Sequence, residues 1–290
     1  MPDTLRFFDL DPARSDPAAS AVRLLPIPFE RTTSYGQGTG GGPAACLTAS
    51  QQVELWDEEL GYDPSVAGIA TLPSLVSEES DLDRAVAGLE SAVAERLEDD
   101  RLLIAVGGEH TVTVPCYRAA ANRWGPLGVV QFDAHADLRD TYQGSPLSHA
   151  CVMRRLLDEG AETLAIGIRS LSEPEAELVA ARDLAVVWGS ELERLRPEAF
   201  EALLDRLPPR LYLTFDVDYF DPSLVPGTGT PEPGGGQWYP TLALLRTLFR
   251  RKAVVAADVV ELAPLEGQRH SEFLAAKLLY KLAGYWLAER

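Results

Sequence analysis

Positive charge is what this sequence has least of against its counterpart: 26 Lys and Arg stand beside 44 Asp and Glu, a formal net charge of −18. Such a balance argues against nucleic acid and an anionic membrane surface as partners, and it either favours a cationic small molecule or, as is commoner, serves solubility alone. Long apolar runs are also missing, and none approaches the roughly 20 residues of a membrane span. The first residues, Met1-Pro-Asp-Thr-Leu-Arg-Phe-Phe-Asp, hold no basic segment followed by an apolar stretch, so no secretory signal is read and a cytoplasmic location is expected. Cysteine is scarce. Cys46, Cys116 and Cys151 form an odd, widely spaced set without CxxC, which excludes a disulfide framework or thiolate metal site and leaves them as inert core or helix residues. The glycine-rich stretch 34–43 lacks the G-x-x-x-x-G-K-[ST] spacing, so it reads as a flexible loop near a mouth rather than a phosphate cradle. No internal repeat divides the chain, and no linker-like segment does so either.

What remains is ample core material: 290 residues, 46% of them hydrophobic, enough for one large α/β domain. Residues 1–20, rich in Pro and Asp, read as a loosely held arm. Apolar runs predict strands at about 21–29, 65–71, 102–107, 127–133, 163–168, 184–188, 211–217 and 253–257. Helices are predicted near 43–57, 82–97, from 111, and at 147–157, 173–182, 197–207, 239–250 and 271–288. Strands alternating with helices imply a mainly parallel sheet covered on both faces. The segment 273–286, with Leu, Tyr and Trp at helical spacing, reads as a core helix rather than an interface. His270, just before it, reads as structural or at most part of a pocket rim.

The chemistry gathers at strand ends. Asp133, His135 and Asp137 follow the run 127–131 at i, i+2 and i+4, which on a strand would point them to one spot; the alternative is a polar turn capping a helix. Asp216 and Asp218 end the run 211–215 with the same spacing. The run 102–106 ends in Gly107-Gly-Glu-His110, where paired glycines allow a sharp turn that presents a histidine. Four aspartates and two histidines thus fall at C-terminal strand ends, where open parallel sheets bind ligands. That donor set suits a hard or borderline divalent ion, and bridging aspartates suit two ions roughly 3.5–4 Å apart. A water between such ions loses a proton near neutral pH, so hydrolysis of a poor electrophile is expected. Mg²⁺ has little use for histidine, which makes Mn²⁺ the expected metal, with Fe²⁺, Co²⁺, Ni²⁺ or Zn²⁺ as alternatives. His149, at a predicted helix start, reads as a proton shuttle or as a surface residue capping that helix. Glu261, at another strand end, reads as a carboxylate for a cationic substrate or as an ordinary strand terminus.

The set Gly107-Gly-Glu-His110, Asp133-Ala-His-Ala-Asp137 and Thr214-Phe-Asp-Val-Asp218, with Pro222, Pro226, Gly227 and Gly235 downstream, resembles the ureohydrolase family of arginase and agmatinase. The likeness runs from about residue 22 to the C-terminus. It implies a three-layer α/β/α fold around an eight-stranded, mainly parallel sheet, with 21–290 as a single catalytic domain, and a dinuclear manganese centre. By the same resemblance, His110, Asp133, Asp137 and Asp216 would hold one ion and Asp133, His135, Asp216 and Asp218 the other. Asp133 and Asp216 would bridge. Asp137 would relay a proton to the departing amine, His149 would act as outer proton shuttle, and Glu261 would pair with the guanidinium. A homo-oligomer, trimer or hexamer, is also implied.

Arg139 and Ser172 stand where arginases are expected to carry an Asn and an Asp that read an amino-acid head, which counts against arginine. Agmatine, hydrolysed to urea and putrescine, is the expected substrate, with Asp140 or Glu173 expected to meet its distal amine. Arg139 suits this only if it points away or pairs with Asp140; otherwise it favours a carboxylate-tailed substrate. Guanidinobutyrate, guanidinopropionate, guanidine and arginine are the alternative substrates. A one-zinc deacetylase and an inactive family member serving as a binding or regulatory subunit are competing expectations. Retention of all six ligand residues argues against both.

Overall fold

The computed structural model describes residues 5–290, so Met1–Thr4 of the expected arm lie outside the described residues. In β3 (Leu102–Gly107), Leu102, Ile104 and Val106 enter one core while Leu103 and Ala105 enter a second. That is the two-residue period of a strand buried on both faces. β7 (Arg210–Asp216) divides likewise, with Leu211, Leu213 and Phe215 to one side and Tyr212 to the other. These strands join β1 (Val22–Ile27), β2 (Ile69–Thr71), β4 (Gly128–Phe132), β5 (Glu162–Ile168), β6 (Ala185–Trp188) and β8 (Ala253–Val260). The result is one eight-stranded sheet in the order β2-β1-β3-β8-β7-β4-β5-β6, every pairing parallel.

Helices cover both faces. On one side α2 (Gly42–Ser50), α7 (Pro197–Asp205), α8 (Trp238–Arg251) and α9 (His270–Ala288) bury Leu47, Phe200, Leu245 and Leu279. On the other, α3 (Leu82–Ala94), α4 (Thr113–Trp124), α5 (Val152–Asp158) and α6 (Glu173–Ala181) bury Val86, Tyr117, Met153 and Val179. This is the expected three-layer architecture. Its consequence for function is positional: β3, β8, β7 and β4 are adjacent at the centre, so their C-terminal ends share one edge. α9 is the expected core helix, burying Leu278, Leu279, Leu282, Tyr285 and Trp286. Each of these three buried leucines contributes about 1.5–3 kcal/mol by burial.

Three segments differ from expectation. Residues 5–20 are not loose: Phe7 is 1% exposed, its N–H donates to Thr71 Oγ1 (2.9 Å), and Arg14, in the short α1 (Pro12–Ser15), pairs with Asp63 (3.0 Å). Proline and aspartate here cap and seat a segment whose phenylalanine belongs to the core. α2 stops at Ser50 rather than near residue 57, because the Ser50 hydroxyl turns back to the Leu47 carbonyl (2.6 Å). Asp57 is committed elsewhere, accepting from Lys281 Nζ (2.8 Å) and from the N–H groups of Glu59 and Leu60 (both 3.0 Å). β2 begins at Ile69, since Pro64–Ala67 form a 3₁₀ turn capped by Asp63. His270 is the exposed first residue of α9. The three cysteines are free and buried, and among the described residues no helix is long and apolar enough to cross a membrane.

Candidate active site

Each central strand ends in a turn dictated by its sequence. After β3 the paired glycines are required by close approach rather than by a special φ. A Cβ on Gly108 would collide with the Phe29 carbonyl oxygen, and one on Gly107 with Val112 and Val260. This seats His110 at the sheet edge, where its backbone N–H donates to Glu261 Oε1 (2.6 Å). After β4, Asp133 Oδ1 accepts from the His135 N–H (2.6 Å), and Asp137 adopts a φ of 51°. At the end of β7, Asp216 Oδ1 accepts from the Asp218 N–H (2.8 Å), while Asp218 Oδ1 accepts from the Ala134 N–H (3.0 Å). Asp133, His135 and Asp137 therefore lie in a folded loop and Asp218 in a 3₁₀ turn, Val217–Tyr219. Side-chain-to-backbone turns bring them together, where strand alternation was expected to do so.

All six expected donors meet. His110 Nδ1 lies 3.0 Å from Asp137 Oδ2, 3.2 Å from Asp133 Oδ2 and 3.5 Å from Asp216 Oδ2. His135 Nδ1 lies 2.8 Å from Asp218 Oδ2 and 3.7 Å from Asp133 Oδ1. His110, Asp133 and Asp216 are placed to hold one metal ion and Asp133, His135 and Asp218 a second, with Asp133 common to both. Asp137 joins through its contact with His110, and Asp216 falls with the first group alone.

The histidine tautomer tests whether a metal fits. Thr214 Oγ1 gives its one proton to Asp258 Oδ1 (2.7 Å) and therefore accepts from His110 Nε2 (2.9 Å), which leaves Nδ1 as a lone pair. That nitrogen is buried, has no hydrogen-bond partner among the described residues and faces three carboxylate oxygens. A lone pair so placed calls for a cation before it. Donor separations of about 3 Å are those of neighbouring ligands on an octahedral ion with bonds of about 2.1 Å. The donor set fits a pair of divalent metals.

Electrostatics agree. Burial, with the charges of Asp218, Asp133 and Glu261, drives Asp216 well above the carboxylate range. Burial and the Asp133 charge push Asp137 up to about 6. Burial acts on Asp133 too, but the neighbouring imidazoles of His110 and His135 outweigh it and hold that carboxyl low. Four buried carboxylates share two imidazoles, so the site is short of positive charge that divalent ions supply.

A cavity of about 250 Å³ opens over the cluster, with Ser34, Arg139, Tyr142, His149, Glu232 and Glu261 among its walls. His149 starts the turn His149–Cys151 before α5, and its Nδ1 lies 3.6 Å from Glu261 Oε1. Burial pushes this imidazole down, yet Glu261, Asp137 and Glu109 outweigh it and hold its pKa above the ordinary value. The His149 N–H donates to Thr32 Oγ1 (2.9 Å), which donates in turn to buried Glu109 (2.9 Å).

Neither Asp140 nor Glu173 reaches the cavity. Asp140 is surface-exposed and pairs with Arg155 (2.7 Å), and Glu173 is exposed in the first turn of α6. Arg139 does not pair with Asp140; its guanidinium stacks over Tyr142 (5.1 Å) and its Nε lies 3.8 Å from Glu175. Ser172 caps α6, its hydroxyl donating to Glu175 Oε2 (2.6 Å). Glu232 is the acid that sequence reasoning missed, 4.0 Å from His135 Nε2. The Arg169 guanidinium donates to the carbonyls of Gly167 (3.0 Å), Asp218 (2.8 Å), Glu232 (3.1 Å) and Pro233 (3.1 Å).

A parallel α/β/α sheet carrying a two-ion donor set at its central strand ends defines a hydrolase class. The arginase family model matches residues 20–284, and the chain belongs to that family. It is 44% identical over 277 residues to an N(1)-aminopropylagmatine ureohydrolase of Synechocystis sp., covering 93% of this chain and 90% of that protein. An agmatinase of Pyrococcus horikoshii is 33% identical over 282 residues, 97% of each chain. The crystal structure of the agmatine ureohydrolase of Thermoplasma volcanium matches with a TM-score of 0.87 at 30% identity, covering 98% of this chain and 94% of that one.

Proposed function

We propose that this enzyme hydrolyses a guanidino compound with a cationic tail, agmatine by preference, to urea and putrescine. The observation that carries the proposal is the two-ion donor set with Glu261 and His149 on the wall of the same cavity. As the family resemblance implies, His110, Asp133, Asp137 and Asp216 would hold one ion and Asp133, His135 and Asp218 the other, with Asp216, grouped here with the first, serving the second as well and Mn²⁺ as the metal. Bound there, the pair supplies a nucleophilic water at neutral pH and positive charge against the oxygen of the tetrahedral centre.

The chain's own residues do the rest. Glu261, fixed through its Oε1 by the His110 N–H, holds the guanidinium by charge-assisted hydrogen bonds. Asp137 carries a proton to the departing amine. His149, with Nε2 buried and without a partner among the described residues and Nδ1 toward Glu261, passes protons between the cavity and its rim. Support for a cationic tail comes from the chain's net charge of −18 and from the two positions expected to read an amino-acid head. Ser172 is spent on capping α6, and Arg139 lies on the Tyr142 ring. Assembly as a trimer or hexamer belongs to the same proposal, and sedimentation of the metal-loaded protein checks it.

A second substrate, N(1)-aminopropylagmatine, draws support from the name of the 44% identical relative. The same residues would act on it, with a longer amine as the other product. The test is kcat/KM for urea release by the Mn²⁺-loaded enzyme from agmatine, N(1)-aminopropylagmatine, arginine, guanidinobutyrate, guanidinopropionate and guanidine. A clear lead for the two cationic-tailed compounds is expected. A lead for arginine or for an acid-tailed compound would overturn the substrate assignment and leave the hydrolysis standing.

A further inference from the structure

The metal ligands and Glu261 account for all but one of the acids on the cavity wall. Glu232 is the remainder, with 37% of its side chain exposed, and it sits on the segment that follows β7. It lies 4.0 Å from His135 Nε2, too far for a hydrogen bond, so it is not the acceptor that orients that imidazole. Five bonds of roughly 1.5 Å separate the guanidino nitrogen of agmatine from its terminal amine, a zigzag reach of about 6 Å. A guanidinium held on Glu261 thus carries its tail about that far through the cavity that Glu261 and Glu232 both line.

The segment that carries Glu232 is tied down. The Arg169 guanidinium, threaded beneath it, bonds the carbonyls of Glu232 and Pro233 on one side and of Asp218 on the other. The fit is close: a Cβ on Gly235 would lie 2.8 Å from Arg169 Nη2, and one on Gly189 3.0 Å from Arg169 Cδ. Gly234 and Gly235 adopt φ values of 81° and 113°, which lets the segment fold over the guanidinium. From the far side, the Gly36 N–H donates to the Gly229 carbonyl (3.0 Å). One cation therefore joins the backbone of a metal-site aspartate to the backbone of the free acid.

We infer that Glu232 is the specificity residue for the substrate's distal cation, and that Arg169 is the positioning residue that fixes its distance from the metal pair. The inference rests on the guanidino hydrolysis proposed above and names the group that selects the tail. Arg139, the other charged group at the rim, is drawn toward Tyr142 and Glu175, so it does not cancel the Glu232 charge.

Agmatine and guanidinobutyrate test this as a pair, because they have nearly the same length and opposite charge at the tail. In Glu232→Gln the ratio of their kcat/KM values falls by about 10- to 100-fold, the worth of one hydrogen bond to a charged group. In Glu232→Lys it falls further and guanidinobutyrate gains. Arg169→Lys, which keeps the charge but loses the fork, moves the ratio the same way. Bound Mn²⁺ is counted in every variant. A uniform loss of activity on both substrates, with the ratio unmoved, would overturn the inference and make Glu232 a support for His135. A parent enzyme that releases no urea from any guanidino compound would instead defeat the hydrolysis itself.

Discussion

At the scale of single residues, the proposed metal site turns on what holds His110. Thr214 faces Asp258 in the register between β7 and β8, and together they fix the imidazole so that its Nδ1 lone pair enters the cluster. Thr214→Val keeps the shape and removes the relay. Loss of such a support weakens metal binding by about 10- to 100-fold. Titration with Mn²⁺ should find this, with much of the activity recovered at excess metal; unchanged affinity would mean that the hydroxyl does not set the tautomer. The six donors were legible in the sequence because their spacing is local. Thr214 and Asp258 were not legible in this role, since only strand register makes them neighbours. Glu232 was hidden for a similar reason: its place depends on the fold of a glycine-rich segment around Arg169, which no spacing encodes.

At the scale of elements, α9 shows what periodicity reads and what it leaves out. Its leucines and aromatics announce a core helix, yet Lys281 in the same helix is fully buried. It is held by Asp57 Oδ1 (2.8 Å) and Glu59 Oε2 (3.2 Å), at and just beyond the end that was expected for α2. Lys281→Met strands the Asp57 carboxylate in the interior, and breaking a buried pair in this way costs about 3–5 kcal/mol. Chemical denaturation measures it, and a loss below about 1 kcal/mol would contradict the account. Burial pushes Asp57 and Glu59 up, but hydrogen bonds and charge from Lys281, with Tyr285 at Glu59, hold both below their ordinary values. Their contribution is therefore complete above the unfolded values of about 3.9 and 4.3 and is lost as pH falls through the lower folded ones. The parent should lose stability as pH drops from about 5 to about 3, and Lys281→Met should show little of that slope.

At the scale of the whole molecule, the parallel order of the sheet explains why residues from four separated stretches share one site. β3, β8, β7 and β4 are neighbours, and each delivers its chemistry at the same edge. The layers, the eight strands and the catalytic edge were all legible, because buried parallel strands leave near-continuous apolar runs. The packing of residues 5–20 was not, since their prolines and aspartates resemble those of a loose segment while Phe7, Leu10 and the Arg14–Asp63 pair do the anchoring. The central claim is that guanidino hydrolysis occurs at the strand-end cluster, and the direct measurement is urea release from agmatine by the Mn²⁺-loaded parent beside Asp133→Ala. Asp133 is common to both donor groups, so urea from the parent and a fall of several orders of magnitude in the variant are predicted. A parent that binds two equivalents of metal and releases no urea, or a variant as active as the parent, would contradict it.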